Sequence, residues 1–364
     1  MLLNITTVPG DGIGPEVVAE AVRVLNATVS AFGHQLQVTE KNIGGAALVA
    51  SDDPLPPDTL NACRSAGAVL LGAVGGPSFD HYPRQLRPEA GLLRLRKELG
   101  AFANLRPAVC YRSLEDCSPL RPEVVRGTDL LVVRELLGGL YFGAPRSIDG
   151  VEPQRMAINT MRYGEPEIER IARVAFDLAR QRRRKLVSVD KSNVLECSRL
   201  WREVVTRIAK EYPDVSVSHT YVDSAAMAIV LHPADFDVMF MENMFGDILS
   251  DQAGGVVGSL GLLASASIGG KVGLYEPVHG SAPDLAGKNI ANPLGAILSA
   301  AMLLRHSFQL ESEAKCIENA VADTLSAGSR TRDLARPGQA TLSTTGMGQR
   351  VLESAAALTE NFTR

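Results

Sequence analysis

The sequence predicts an α/β protein of two domains, and three observations predict it. Residues 2–8 are β-rich and break at a glycine and proline turn, after which residues 17–29 carry helical periodicity. Strand-length apolar segments recur at residues 68–71, 130–133, 186–189 and 236–241, and each ends in a polar or glycine-rich turn. The length, 364 residues, suits two domains of ordinary size.

Hydrophobic residues are 45% of the chain and charged residues 21%, the balance of a globular protein with ample core. A net charge of -4 gives no electrostatic case for nucleic acid or a membrane surface, which leaves small-molecule chemistry. Cys63, Cys110, Cys117, Cys197 and Cys316 are odd in number and form no C-x-x-C pair, so neither a disulfide framework nor a zinc site is expected. A reducing cytoplasm fits. The N-terminus runs straight into a strand without the pattern of a signal peptide, and the longest apolar helix candidate, residues 294–304, is too short for a bilayer. That segment is expected in the core.

The first turn, Pro9-Gly10-Asp11-Gly12-Ile13-Gly14-Pro15, follows a strand, and Glu40 lies beyond the next one. A dinucleotide fingerprint competes here with a plain strand-to-helix turn; the third glycine is absent, and Pro15 in its slot suits the first turn of a helix. Residues 68–71 empty into Gly72-Ala73-Val74-Gly75-Gly76-Pro77, whose glycines allow close backbone approach to a ligand or simply make a tight turn. Next comes a helical pattern over residues 91–97, with Leu92, Leu93 and Arg96, and then Asn104-Leu105-Arg106-Pro107. Helix cations usually form solvated faces, but arginine is suited to bidentate capture of carboxylates, so Arg96 and Arg106 are candidates.

Residues 130–133 end in Arg134-Glu135, and Gly138-Gly139 leads to Tyr141. Residues 144–161 read as irregular, and a stretch of that length inside a compact domain is a candidate partner contact. A helix over residues 168–179 ends in Arg180-Gln181-Arg182-Arg183-Arg184-Lys185, expected to be a solvated, dipole-complementing end. Residues 186–189 deliver Asp190-Lys191-Ser192-Asn193, and residues 215–222 deliver Asp223.

Residues 236–241 deliver Glu242-Asn243-Met244-Phe245-Gly246-Asp247-Ile248-Leu249-Ser250-Asp251, with a helix expected from Gly246 onward. Asp247 and Asp251, four residues apart, then share one helix face. Two solvated acids is one reading; the other is a hard divalent cation, Mg2+ or Mn2+, held by paired carboxylates with substrate oxygens. Arg134, Lys191, Asp223 and this turn all leave the carboxyl ends of strands, where open α/β sheets place their sites. Lysine, tyrosine, arginines and acids together suggest acid/base chemistry on a metal-bound, carboxylated substrate. Beyond Leu274-Tyr275-Glu276-Pro277-Val278-His279-Gly280-Ser281-Ala282-Pro283-Asp284 and Asn292-Pro293, the remainder reads as helical and surface-like.

Taken together, five motifs resemble the isocitrate and isopropylmalate dehydrogenases, the β-decarboxylating family. They are Pro9-Gly10-Asp11-Gly12-Ile13-Gly14-Pro15-Glu16, Asn104-Leu105-Arg106-Pro107, Val189-Asp190-Lys191-Ser192-Asn193-Val194, Asn243 through Asp251, and His279-Gly280-Ser281-Ala282-Pro283-Asp284. The resemblance runs the whole chain. It implies oxidation of the 2-hydroxyl of (2R,3S)-3-isopropylmalate by NAD+, loss of the β-carboxylate and protonation of the enol, as in leucine biosynthesis. It implies that Arg96, Arg106 and Arg134 hold substrate carboxylates, that Asp247 and Asp251 with Asp223 of a second subunit hold Mg2+ or Mn2+, that the second subunit's Lys191 is the base through water, and that Tyr141 protonates the enol carbon. Leu92 and Leu93 would wall the isopropyl group, where isocitrate dehydrogenases place a serine.

The resemblance also implies an NAD site at residues 279–284 and Asn292, with Gly75, Gly76 and Asn193 contributing, and with Asp284 and Leu285 at the adenosine ribose, where NADP-using relatives carry a lysine and a tyrosine. The implied fold is a two-domain α/β sandwich, not a Rossmann fold. Residues 1–101 and 256–364 would form the nucleotide domain, and residues 102–255 the dimerisation, metal and substrate domain, with an arm at about residues 144–161 pairing subunits into a homodimer with shared active sites. Departures are few: Leu137 stands for a usual threonine, Ala264 for a proline, and Glu242 for a residue more often uncharged. Alternatives are a sister activity on D-malate, tartrate or homoisocitrate, or a non-catalytic regulatory subunit, against which the intact Tyr141, Lys191, Asp223, Asp247 and Asp251 speak.

Overall fold

The structure, a computed structural model, describes residues 1–362. Its strands are β1 (Leu2–Gly10), β2 (Gln35–Glu40), β3 (Ala68–Ala73), β4 (Ala103–Val109), β5 (Asp129–Glu135), β6 (Ser147–Asp149), β7 (Met156–Ile158), β8 (Lys185–Asp190), β9 (Ser216–Tyr221), β10 (Val238–Met241), β11 (Ala264–Ile268) and β12 (Gly273–Pro277). Its helices are α1 (Gly14–Ala31), α2 (Gly44–Ser51), α3 (Pro57–Ser65), α4 (Pro88–Leu99), α5 (Pro122–Val125), α6 (Glu165–Gln181), α7 (Glu196–Ala209), α8 (Val222–Leu231), α9 (Asn243–Val257), α10 (Leu294–Phe308), α11 (Glu311–Ser326) and α12 (Thr344–Phe362).

Ten strands form one sheet in the order β2-β1-β3-β12-β11-β4-β5-β10-β8-β9. Two parallel blocks, β2-β1-β3-β12 and β5-β10-β8-β9, are joined by antiparallel pairing through β11 and β4. The half from β2 to β11 comes from the two ends of the chain, and the half from β4 to β9 from its middle. Strand alternation divides the core between the two faces. Leu131 and Val133 of β5 join one cluster with α1, α6, α7, α10, α11 and α12, while Leu130 and Val132 join a second with α8 and α9. Val69 and Leu71 of β3 join a third with Cys63 of α3 and Leu95 of α4. Helices on both faces of a largely parallel sheet make the α/β sandwich that was expected.

Four local expectations are corrected. The helix that carries Asp247 and Asp251 begins at Asn243, not Gly246, because the Glu242 carboxylate caps it by accepting the N–H groups of Met244 and Phe245 at 3.0 and 2.8 Å. Residues 144–161 are not irregular: β6 and β7 pair antiparallel, with Ser147 opposite Ile158, as a hairpin exposing Ile148, Val151, Met156 and Ile158. The basic run after α6 is pinned rather than simply solvated. Arg182 meets the buried Asp237 at 2.7 Å, Arg180 grips Asp214, and Arg183 donates to the Phe236 carbonyl. The C-terminal helices are not surface-like, since Ile317, Val321, Leu325, Met347 and Val351 are fully buried and pack on α1 and α10.

Residues 294–304 do lie in the core, as the start of α10. No helix among the described residues is long and apolar enough to cross a membrane. All five cysteines are free. A cleft of about 1070 Å³ lies between α6 and the α10 and α11 pair, lined by Leu105, Leu131, Met302, Arg305 and His306 among others. None of the sequence-predicted site residues lines it.

Candidate active site

β4 and β5 pair so that Asn104 lies opposite Arg134, which brings two arginines to the middle of the sheet. Both are buried. The Arg106 Nε donates to Asn104 Oδ1 at 2.7 Å, and its Nη1 donates to Ser250 Oγ at 2.8 Å and to Asp251 Oδ1 at 3.2 Å, with Asp247 Oδ1 at 3.5 Å. A cation therefore does sit between the two α9 carboxylates, the condition that lets like charges share a helix face. Arg134 pairs with Asp247 through Nη1 and holds the Asn243 amide oxygen through Nε and Nη2 at 3.0 and 2.8 Å.

Burial, and then Arg106 beside it, lower the Arg134 pKa to about 10 despite Asp247; the group remains a cation at neutral pH. Arg96 adds to the same field and is itself half-buried against Glu276 at 2.7 Å, with its Nε buried and unpartnered. Three mutually repelling guanidinium groups and a free donor make a receptor for a carboxylated anion. Leu92 and Leu93 stand four and three residues before Arg96 on α4, on the same side of the helix and half-buried.

Tyr141 sits in a single turn, Gly139–Tyr141, just beyond β5. Its hydroxyl donates to Asp247 Oδ2 at 2.9 Å, and its ring centre lies 5.7 Å from the Arg134 guanidinium carbon. Burial and the Asp247 hydrogen bond push the phenol pKa up to about 12, so it carries a transferable proton at neutral pH. Asp251 is also raised, first by burial and against the pull of Arg106.

Lys191 and Asp223 stand apart from this group. Lys191 Nζ donates to Asp223 Oδ1 at 2.7 Å, and that bond holds the Asp223 carboxyl below its ordinary range. Among the described residues, no three His, Cys, Asp or Glu side chains gather within one chain as a metal site. Asn193 is exposed nearby in sequence, and Val194, Met227, Leu231 and Ile248 are exposed apolar side chains of α8, α9 and the segment after β8.

In the half of the sheet from β2 to β11, the glycines of the first turn serve close packing rather than a dinucleotide fingerprint. A Cβ on Gly10 would lie 2.0 Å from the Ala73 carbonyl oxygen, and one on Gly12 would lie 2.0 Å from that of Ser281, to which Ile13 N–H donates at 2.8 Å. The Asp11 carboxylate, inside that turn, accepts from the N–H groups of Gly45, Ala46 and Gly75 at 2.7 to 2.8 Å. One side chain thus ties the start of α2 to the Gly75-Gly76 loop.

The segment from His279 to Asp284 follows β12. Burial lowers the His279 pKa and keeps the ring neutral, and its Nε2 is buried without a partner. Ala282 takes φ 38, a left-handed conformation that a non-glycine residue adopts at some cost and that clusters at functional sites. Ser281 is buried, whereas Gly280 and Asp284 are exposed. Asn292 donates to Asp333 Oδ2 at 3.0 Å and accepts from Leu294 N–H at 3.0 Å, so Asp333 orients it.

The structure brings Arg106, Arg134, Tyr141, Asp247 and Asp251 together with Arg96, and leaves Lys191 with Asp223 outside that group. Sequence reading missed the supporting side chains. Asp11, Asn243 and Glu276 lay inside quoted stretches without roles, and Glu135 stood beside Arg134. Asp333 gave no signal, because a lone acid acquires meaning only from the partner folding brings to it.

Three comparisons bear on this arrangement. Residues 4–351 match the family model of isocitrate/isopropylmalate dehydrogenase. The chain is 57% identical over 351 residues to a 3-isopropylmalate dehydrogenase of Moorella thermoacetica, covering 96% of this chain and 98% of that one. It is 52% identical over 360 residues to a 3-isopropylmalate dehydrogenase of Aquifex aeolicus, covering 99% of each. The crystal structure of an isocitrate dehydrogenase from Methylococcus capsulatus is similar, with TM-score 0.85 and 37% identity over 97% of this chain and 99% of that one. With matches of this extent, the chain belongs to the isocitrate/isopropylmalate dehydrogenase family.

Proposed function

We propose that the chain catalyses NAD-dependent oxidative decarboxylation of (2R,3S)-3-isopropylmalate to 4-methyl-2-oxopentanoate and CO2, in leucine biosynthesis. The observation that carries this reading is the buried field of Arg96, Arg106 and Arg134 beside the half-buried Leu92 and Leu93: anion recognition next to an apolar wall. A diacid with an isopropyl branch satisfies both. A 2-hydroxy triacid, with a third carboxylate in place of the isopropyl branch, would bury that charge against two leucines.

Asp247 and Asp251, with Asp223 of a second copy, are all-oxygen donors suited to Mg2+ or Mn2+, and Arg106 occupies the intervening charge balance in this structure. A divalent cation held there would supply Lewis-acid polarisation of the substrate oxygen. NAD would be held by His279, Gly280, Ser281, Ala282, Asp284, Asn292, Gly75, Gly76 and Asn193, and would supply the hydride acceptor. The chain's own residues do the rest. The arginines orient the carboxylates, and Lys191 of the second copy accepts the hydroxyl proton through water. Tyr141 delivers its retained proton to the enol carbon once CO2 has left.

The proposal includes a homodimer in which the β6-β7 hairpin joins subunits, a nucleotide domain of residues 1–101 and 256–364, a second domain of residues 102–255, and a cytoplasmic location. The test is NADH and CO2 production with Mg2+ across isopropylmalate, D-malate, tartrate, homoisocitrate and isocitrate. The highest kcat/KM is expected with isopropylmalate. A higher value with any other acid would overturn the substrate assignment.

A further inference from the structure

Between the turn that carries Tyr141 and the helix that carries Asp247 lies a buried cluster that these roles leave unused. Glu135, Tyr163 and Glu242 are 0%, 6% and 3% exposed. Glu135 accepts from the N–H groups of Leu137 and Gly138 at 3.1 and 2.7 Å, and so holds the turn. Glu242 accepts from Met244 and Phe245, and so holds the helix. Tyr163 joins them. Its oxygen accepts from Asn243 N–H at 3.0 Å and stands 3.3 Å from Glu135 Oε2 and 3.4 Å from Glu242 Oε2. Asn243 closes the ring by donating to the carbonyls of Leu136 and Gly138 at 3.1 and 3.0 Å.

The same tyrosine accounts for the glycine pair before Tyr141. A Cβ on Gly138 would lie 2.7 Å from the Tyr163 ring, and one on Gly139 would lie 2.6 Å from its hydroxyl. Two carboxyl groups face one hydroxyl, and among the described residues the cation in direct contact with them is Arg170, at 3.2 Å from Glu135; buried polar groups of this kind are often costlier than an apolar filling of the same space. Burial raises both carboxyl groups and the phenol, which therefore keeps its proton to donate.

We propose that Glu135, Tyr163 and Glu242 are positioning residues that set the Tyr141 turn against α9, so that the Tyr141 proton reaches the enol from one face only. The inference rests on the reading of Tyr141 as the acid. A group displaced by about 1 Å can lose on the order of 100-fold in rate, and a general acid contributes about 100-fold or more.

The experiment compares Tyr163→Phe, Glu242→Gln and Tyr141→Phe with the native enzyme. Tyr163→Phe retains the ring that packs edge-on against Trp201 at 5.7 Å. In Tyr163→Phe and Glu242→Gln, kcat is expected to fall about 10-fold with KM changed less than about 3-fold. Reaction in D2O is expected to deuterate both faces at C3 of the product, where the native enzyme deuterates one. In the protein without metal, cofactor or substrate, amide exchange is expected to quicken at residues 136–142 and 242–246. A loss of general stability would lower Tm and activity without changing the face of deuteration. Single-face deuteration and native exchange in both variants, beside a disabled Tyr141→Phe, would overturn the proposal alone. Native turnover in Tyr141→Phe would overturn the acid reading and this proposal together.

Discussion

At the scale of single residues, the site is governed by what burial does to charge. Arg134 stays a cation under strong desolvation because Asp247 and Asn243 hold it, while the phenol of Tyr141 gains acidity-resisting burial and a carboxylate acceptor at once. Lys191→Met and Tyr141→Phe are both expected to lose about 100-fold or more in overall turnover. They differ in the step: the first stops hydride transfer, and the second leaves NADH formation faster than keto-acid formation. Stopped-flow absorbance beside product analysis separates them, and near-native product formation in either variant contradicts its role. Asp284, exposed after the left-handed Ala282, is the residue proposed to set the nucleotide preference. A carboxylate facing the ribose accepts from its hydroxyls and repels a 2′-phosphate, a discrimination that can reach several kcal/mol, or tenfold for each ~1.4 kcal/mol. Asp284→Lys with Leu285→Tyr is therefore expected to shift kcat/KM strongly toward NADP. Equal efficiency with both nucleotides in the native protein would remove Asp284 from the ribose.

At the scale of elements, the sequence showed which segments are strands and helices but not always what ends them. The Asp247 and Asp251 spacing was legible because helix geometry alone puts them on one face, whereas the Asn243 start was not, because capping by glutamate looks like an isolated acid in sequence. The hairpin at residues 147–158 was missed since its strands are three residues each, too short for alternation to register. Arg182 and the Arg183 amide after α6 found one buried acid, Asp237, which lies 55 and 54 residues away, a pairing no local pattern contains. The end of α10 carries a measurable consequence. Burial, with Arg305 adjoining, lowers His306 from 6.5 to about 4. Between those values the unfolded chain binds a proton that the folded chain refuses, so stability falls as pH drops from about 6.5 to about 4. His306→Gln is expected to flatten the fall of Tm over that window. An unchanged slope would mean the imidazole titrates freely in the folded protein.

At the scale of the molecule, the α/β class followed from recurring strand, turn and helix units, but the order of the ten strands did not. The antiparallel β11 and β4 that join the two parallel blocks pair residues far apart in the chain, Ala266 with Leu105 and Ile268 with Ala103, and long-range pairing leaves no local trace. The central claim at this scale is that one working site takes Tyr141, Asp247 and Asp251 from one copy and Lys191 and Asp223 from another. Within a single chain Lys191 pairs with Asp223 and stands 5.9 Å from the Tyr221 ring centre, and the exposed Val194, Met227, Leu231 and Ile248 lie on the same elements, as a covered interface would require. The direct measurement mixes inactive Lys191→Met and Asp247→Asn proteins under conditions that exchange subunits, with exchange followed by mass spectrometry. A shared site predicts recovery of activity, because each mixed dimer carries one site with both residues intact. Complete exchange without recovery would place Lys191 and Asp247 in the same chain's site and contradict the account.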